Sequence, residues 1–588
     1  MAKFLLNSIY FKARWEKDPY APPGEFPLKK LSDDCLIMVI KDDETNTSEL
    51  KIVERPTIEF YTIKDESLAK PFNEICVDKH LVDTHEVEYS KRDIEMCKYL
   101  GIEQEYRELK NNINNCYQNG TNYYDALNDL NEFMNEKVYK NPYVYGADVS
   151  IEDFYKTKFM LEHGDTIPKI LNVSFYDIET YIYHYKTKVD QDNPIAPINV
   201  ATYFNTKKRV LHAICLLIDE IPMQKEIQAD IDGYVREYIA EDLTEDPDIK
   251  VQITFVDTEV MLLRTLFQLF KEDRPDFAMA WNNNYDNKYI IGRQKKLGMD
   301  VVDEWTHPDV PSEYRQFIFN EDRQRKKGFM GKKRPFHRLW DWIDTASYTT
   351  FIDQMSLYSN LRKRFQEETY KLDAITEKEL GIKKVDLSQY GLNIRNAPFR
   401  NFKIFLKYAL RDTYLLYKME EKLKDLETYL MLCDNTHVEN GINVSYVIKN
   451  AFYMIFCKDN KVIGNTIDYG VNESIDGALV QDPELVQVLP VIVGGKRTKI
   501  FKDIVDFDGK SLYPSLIIQH KIGKENQKFR IVSITDPNGK LKMSGQEFNQ
   551  GLQTIDTSVF DMCNTLYGLP NLNQMVEVVE KQLQEMVK

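Results

Sequence analysis

Residues 169–180 read KILNVSFYDIET, an apolar run rich in β-branched and aromatic residues that ends on two carboxylates, Asp177 and Glu179. That composition predicts a strand. Side chains alternate between the faces of a strand, so these two acids, two residues apart, point the same way. A second run of this texture, RVLHAICLLID at 209–219, follows. The two are expected side by side as the buried core of a domain. Apolar residues then recur at helical spacing in Thr258–Phe270 (TEVMLLRTLFQLF) and Arg400–Lys424 (RNFKIFLKYALRDTYLLYKMEEKLK). Strands alternating with helices place the fold in the α/β class.

Outward from this block, 588 residues are more than one hydrophobic core usually serves, so the chain is expected to be multidomain. Residues 1–168 mix short strand-like runs with polar helices at Lys91–Asn112 and Tyr123–Glu136 and offer no catalytic constellation. The acidic stretch IAEDLTEDPDI, Ile239–Ile249, reads as a solvated loop. Beyond Tyr429 a mixed region leads to a third β-rich block, Gly477–Ile518, and a polar helix at Leu572–Val587.

A formal charge of −16 disfavours a general polyanion binder, because phosphate neutralisation relies on clustered Lys and Arg. Net charge is silent about local patches, however. Residues 323–338, RQRKKGFMGKKRPFHR, are densely basic with Phe329 and Phe336 interleaved. Arg325, Lys326, Lys327, Lys332, Lys333 and Arg334 are therefore candidates for DNA contact, with a solvated loop as the plainer alternative. The eight cysteines are scattered with no CxxC pair, which suggests neither zinc nor a disulfide framework. No stretch approaches the roughly 18 apolar residues of a membrane span. A reducing, cytoplasmic setting and no membrane partner are the expectation.

Cleaving a phosphodiester requires an activated water and a means to absorb charge on the leaving oxygen, which two divalent cations about 4 Å apart supply together. Hard cations bind carboxylates, so such a site gathers three or four acids. Besides Asp177 and Glu179, the candidates are Asp286 in AWNNNYDNKYI, near a predicted helix start, and Asp412 in KYALRDTYLLY. Tyr408, four residues before Asp412, shares its helical face and could orient a water. Taken singly each has a plain alternative: a chance D-x-E pair, a helix cap, an exposed helix aspartate.

Together, and in this order, YDIET, NNNYD and Y-x-x-x-D resemble the three exonuclease motifs of DEDDy-type proofreading domains in family B DNA polymerases. The resemblance implies an RNase H-like exonuclease domain in which Asp177, Glu179, Asp286 and Asp412 bind two Mg²⁺ ions, with Mn²⁺ as an alternative, and Tyr408 assists. Two residues, Asn283 and Asn284, separate Asn282 from the Tyr285-Asp286 pair, where many members have three. Asp344 in WIDTASYTTF and the segment YKLDAITEKELGIKKVDLS at 370–388 also resemble family features, without adding a metal ligand. The basic segment at 323–338 falls where T-even-type bacteriophage polymerases place a β-hairpin.

DFDGKSLYPSLII, Asp506–Ile518, closely resembles motif A of the family's polymerase palm. The likeness makes Asp508 a metal-binding aspartate and places Ser511, Leu512 and Tyr513 at the incoming nucleotide. Gly494 and Gly495 resemble the Y-x-G-G element, with Ile492 in place of its tyrosine. No D-T-D occurs, and NTLYG at 564–568 imitates the fingers motif without its lysine, Phe560 standing at that position.

The resemblance thus implies an N-terminal domain over 1–168, onto which 427–478 packs back, an exonuclease domain over 169–426, and the first part of a palm over 479–588. The expected partners are primer-template DNA, single-stranded 3′ ends, dNTPs, and a second polypeptide carrying the fingers, remaining palm and thumb. Some large bacteriophages split their polymerase in this way, so an infected bacterial cell is the expected setting. The alternatives are a stand-alone 3′→5′ exonuclease and a non-catalytic replisome scaffold.

Overall fold

The computed structural model describes residues 3–17, 28–65, 76–119, 122–164, 168–185, 191, 193–322, 334–363, 367–433 and 436–465. It also describes the short strands Val491–Val493, Lys496–Thr498, Gln527–Lys528 and Ile555–Asp556. The chain divides into two compact units, Met1–Val471 and Asn472–Lys588. In the second, the described strands form two antiparallel pairs, 491–493 with 496–498 and 527–528 with 555–556.

The first unit begins with apolar strands that pair locally. Strands β1 (Lys3–Phe11), β2 (Cys35–Asp42) and β3 (Thr47–Glu54) form an antiparallel sheet in that order. Strand β4 (Thr57–Ile63) is followed by β5 (Cys76–Asp78) and by β6 (Val82–Glu88), which pairs with it. The helix expected over Lys91–Asn112 is two, α1 (Arg92–Tyr99) and α2 (Glu103–Asn119). Gly101 separates them with φ +71°, a left-handed turn that glycine adopts without penalty, and the Ile102 amide donates back to the Cys97 carbonyl. Helix α3 (Ile151–His163) starts at Ser150, whose hydroxyl accepts the Asp153 amide.

The central sheet comprises β7 (Val173–Thr180), β8 (Ile198–Asn205), β9 (Val210–Leu216), β10 (Lys250–Val256), β11 (Phe277–Ala280) and β12 (Thr350–Asp353), in the spatial order β10-β9-β8-β7-β11-β12. The two runs expected as neighbours, β7 and β9, are therefore separated by β8, which pairs antiparallel with both. Every residue of β8 is buried, polar ones included, so its sequence, INVATYFN, carries no alternation to read. The polar residues are held by hydrogen bonds: Asn205 Nδ2 donates to Asn172 Oδ1 at 2.8 Å, and the hydroxyls of Thr202 and Thr413 meet at 2.6 Å.

Helices cover both faces. On one lies α4 (Glu259–Asp273), capped by the Thr258 hydroxyl, with α5 (Asn283–Lys296); Leu262, Leu266, Phe267, Tyr289 and Ile290 pack there on Tyr176, Ile178 and Tyr203. On the other lies α6 (Phe402–Leu423), capped by the Asn401 side chain, whose Phe405, Ala409 and Leu416 pack on Phe175, Val200, Phe204 and Ala213. Each fully buried Leu or Phe contributes about 1.5–3 kcal/mol. Since Phe175 faces α6 and Tyr176 faces α4 and α5, the alternation of β7 directs Asp177 and Glu179 to the α6 side.

The acidic stretch at 239–249 is solvated only in part: Glu241, Glu245 and Asp248 are exposed, while Asp242 and Asp246 turn inward. Asp246 is buried and accepts from Arg209 at 2.8 Å, the Tyr414 hydroxyl at 2.7 Å and Lys418 at 3.1 Å, while Asp242 pairs with Arg411 at 2.6 Å. Two turns of acid thus clasp the outer side of α6. Elsewhere in this unit, β13 (Lys461–Ile463) pairs with β5, and Lys156 donates to the carbonyls of Cys433 and Thr436 at 2.7 Å each. The N-terminal sheet joins the central one through Lys41 and Asp276, a 2.8 Å ion pair whose side chains are both 1% exposed. Among the described residues no helix is long and apolar enough to cross a membrane.

Candidate active site

Strand β7 delivers Asp177 and Glu179 at its C-terminal end, and α6 passes over that end with Asp412 on its inner side. Ligand oxygens from the three carboxylates lie within 4.8 Å of one another. Asp177 and Glu179 are half-buried, and Asp412 is buried rather than exposed on its helix. Two unit charges at such a spacing repel by about 3 kcal/mol at an effective dielectric constant of about 20. The titration of the group follows: burial, then Asp412, pushes Asp177 up to about 7. Glu179 is raised further, by burial first and then by Asp177 and Asp412.

Asp286 lies in the first turn of α5 and is buried. It stands outside the 4.8 Å group, yet its carboxyl is held well above the ordinary range, by burial and then by Asp177, Asp353 and Glu179. Tyr408 lies one turn before Asp412, and burial together with Asp412 raises its hydroxyl, so it stays protonated.

One site residue escaped the sequence reading. Lys384 Nζ lies 2.5 Å from Asp412 Oδ2 and donates to the Tyr408 hydroxyl oxygen at 3.1 Å. Burial alone would lower its pKa, but Asp412, then Asp177 and Glu179, hold it above the usual lysine value. Its neighbour Lys383 is 64% exposed and pairs with Glu377. Nothing in KKV distinguishes the two; the turn after the helix Leu372–Leu380 does, with Gly381 at φ +74°.

This donor set fits a hard divalent cation. The oxygens are all carboxylate, their mutual repulsion is answered among the described residues by the Lys384 ammonium, and Asp412 Oδ1 is buried with no hydrogen-bond partner. Asp177, Glu179 and Asp412 could hold such an ion.

Asp344 sits apart, on the strand Trp342–Thr345, accepting from Asn320 Nδ2 at 2.7 Å and the Trp342 indole at 3.1 Å; burial pushes it up to about 6. Arg334 pairs with Asp322 at 2.7 Å. Arg325, Lys326, Lys327, Lys332 and Lys333 lie outside the described residues, as do Asp508, Ser511, Leu512 and Tyr513.

The profile of the family described as "DNA polymerase family B, exonuclease domain" matches residues 80–375. That range contains Asp177, Glu179 and Asp286 and stops short of Lys384, Tyr408 and Asp412. A DNA polymerase of Pyrococcus glycovorans is 21% identical over 287 residues, covering 47% of this chain and 32% of that protein. DNA polymerase 1 of Pyrococcus abyssi is 20% identical over 281 residues, 46% of this chain and 31% of the relative. A DNA polymerase of Bombyx mori nuclear polyhedrosis virus is 21% identical over 301 residues, 50% and 26% respectively. The chain spans about a third or less of the length of these relatives.

Proposed function

The chain belongs to the family of DNA polymerase family B exonuclease domains, and on that premise we propose that it removes mispaired 3′ nucleotides from primer-template DNA through an RNase H-like 3′→5′ exonuclease site. The convergence of Asp177, Glu179 and Asp412 from a strand and a helix far apart in sequence carries this reading. Asp286 is the fourth acid of the set. Two bound Mg²⁺ ions would activate the water and absorb charge on the leaving oxygen.

The chain's own residues do the rest. Lys384 donates into the Tyr408 oxygen, which leaves the phenolic proton free to be aimed at the attacking water when a 3′ end is bound. Lys384 also offsets one carboxylate charge, so that the buried acids coexist before cations enter.

The same proposal covers the second unit. DFDGKSLYPSLII supplies Asp508 to a polymerase site, with Ser511, Leu512 and Tyr513 at the dNTP. Residues 1–168 with 427–478, 169–426 and 479–588 are then the N-terminal, exonuclease and partial palm domains. Arg325, Lys326, Lys327, Lys332, Lys333 and Arg334 contact DNA.

The test is a 5′-labelled, 3′-mismatched primer-template incubated with the full chain and Mg²⁺. Progressive shortening from the 3′ end is expected, and Asp177→Ala with Glu179→Ala should reduce it below detection. Parent-rate shortening by that double variant would sink the assignment.

A further inference from the structure

The amide run of NNNYDN has a structural use that points back to the metal site. Helix α5 begins at Asn283, yet the side chain of its N-cap residue, Asn282, makes no capping bond. The helix start is instead held from two neighbouring strands. From β7, the Tyr176 hydroxyl oxygen lies 2.6 Å from Asn287 Oδ1 and 2.8 Å from the side-chain amide of Asn283. A phenol has one proton, so it donates to one amide and accepts from the other. With the Asn283 amide turned to donate, Nδ2 takes this contact in place of Oδ1. From β12, Asp353 Oδ2 accepts the Asn284 amide at 3.2 Å while Oδ1 accepts that of Ser356 at 2.7 Å. One carboxylate thereby caps two helices, α5 and Gln354–Leu361.

Asp286 lies between these holds, one residue from Asn287 and two from Asn284. It stands outside the tight carboxylate group and is repelled by Asp177 and Glu179. Tyr176 is adjacent to Asp177 in the chain but points to the opposite face, so its bond to α5 ties the strand bearing one acid to the helix bearing another.

We infer that Tyr176, from β7, and Asp353, from β12, are positioning residues that hold the first turn of α5 against the central sheet, and so keep the Asp286 carboxylate within reach of a cation shared with Asp177. The inference rests on the reading of Asp286 as a metal ligand. Neither side chain touches the reacting atoms; Tyr176 is 1% exposed and Asp353 3%.

Calorimetric titration of the full chain with Mn²⁺ in the absence of DNA reads this directly. Tyr176→Phe keeps the ring and deletes one hydroxyl, and Asp353→Asn keeps the size and one acceptor. Each is expected to weaken Mn²⁺ binding about 10-fold, with the accompanying loss of primer shortening recovered by raising Mn²⁺. Parent Mn²⁺ affinity in both variants overturns the inference. Asp286→Ala separates the two claims: if it binds Mn²⁺ and shortens primers as the parent does, the ligand reading itself fails. If it is inactive and binds weakly while Tyr176→Phe and Asp353→Asn match the parent, only the positioning role fails.

Discussion

Glu420, near the end of α6, has one carboxylate oxygen accepting the Leu426 amide and the other buried without a partner. Burial pushes its pKa up to about 8, against an ordinary glutamate value near 4.5. The folded state therefore holds a proton that the unfolded chain releases across that interval, and stability falls as pH rises from about 4.5 through 8. Glu420→Gln keeps the acceptor and removes the charge. We expect it to be more stable than the parent by about 1–3 kcal/mol above about pH 8, the two converging below about pH 5. Denaturant melts across that range check it, and a pH-independent difference would show that ionisation is not the cause. Lys384 makes the complementary point at this scale. Its chemistry is identical to that of Lys383, and only its direction differs, with 20% of its side chain exposed against 64%.

At the scale of elements, α6 carries Tyr408 and Asp412 on one side and is clasped on the other by the acidic stretch at 239–249. Asp246 is the centre of that clasp, bonded to Arg209, Tyr414 and Lys418. Asp248, two residues on, also pairs with Arg209 but is 62% exposed. Removing Asp246 leaves buried donors unsatisfied, so Asp246→Ala should destabilise the protein by about 2–3 kcal/mol. Asp248→Ala should change stability by less than about 0.5 kcal/mol, since an exposed pair is screened. Equal losses in the two variants would mean that the clasp adds nothing beyond surface charge. Helix boundaries here were legible in sequence because caps are local: Thr258 and Asn401 start α4 and α6 one or two residues from where periodicity alone placed them. The burial of Asp242 and Asp246 was not legible, because their partners lie as far as 172 residues away.

At the scale of the molecule, the join between the N-terminal and central sheets is a buried ion pair reinforced by hydrogen bonds. Asp276 accepts from Lys41 at 2.8 Å, from the Ser48 hydroxyl at 2.6 Å and from the Asn172 amide at 2.8 Å. Lys41→Ala leaves that carboxylate buried without its cation, and a loss of about 3–5 kcal/mol is expected. Denaturant unfolding followed by both fluorescence and circular dichroism measures it. A loss below about 1 kcal/mol would show that the two sheets do not depend on this joint.

The sequence by itself determined what repeats at short range. The period of two in VSFYDIET placed Asp177 and Glu179 on one face, the period near 3.6 in 400–424 set Tyr408 above Asp412, and alternating texture marked the α/β class. Only the tertiary structure decided that β8 enters between β7 and β9, that Lys384 turns into the carboxylates while Lys383 turns out, and that Tyr176 grips the helix of Asp286. Those outcomes depend on which distant segments pair and on where water is excluded. Both are properties of the packed chain, because a side chain's partner across a sheet or helix face has no fixed spacing along the sequence.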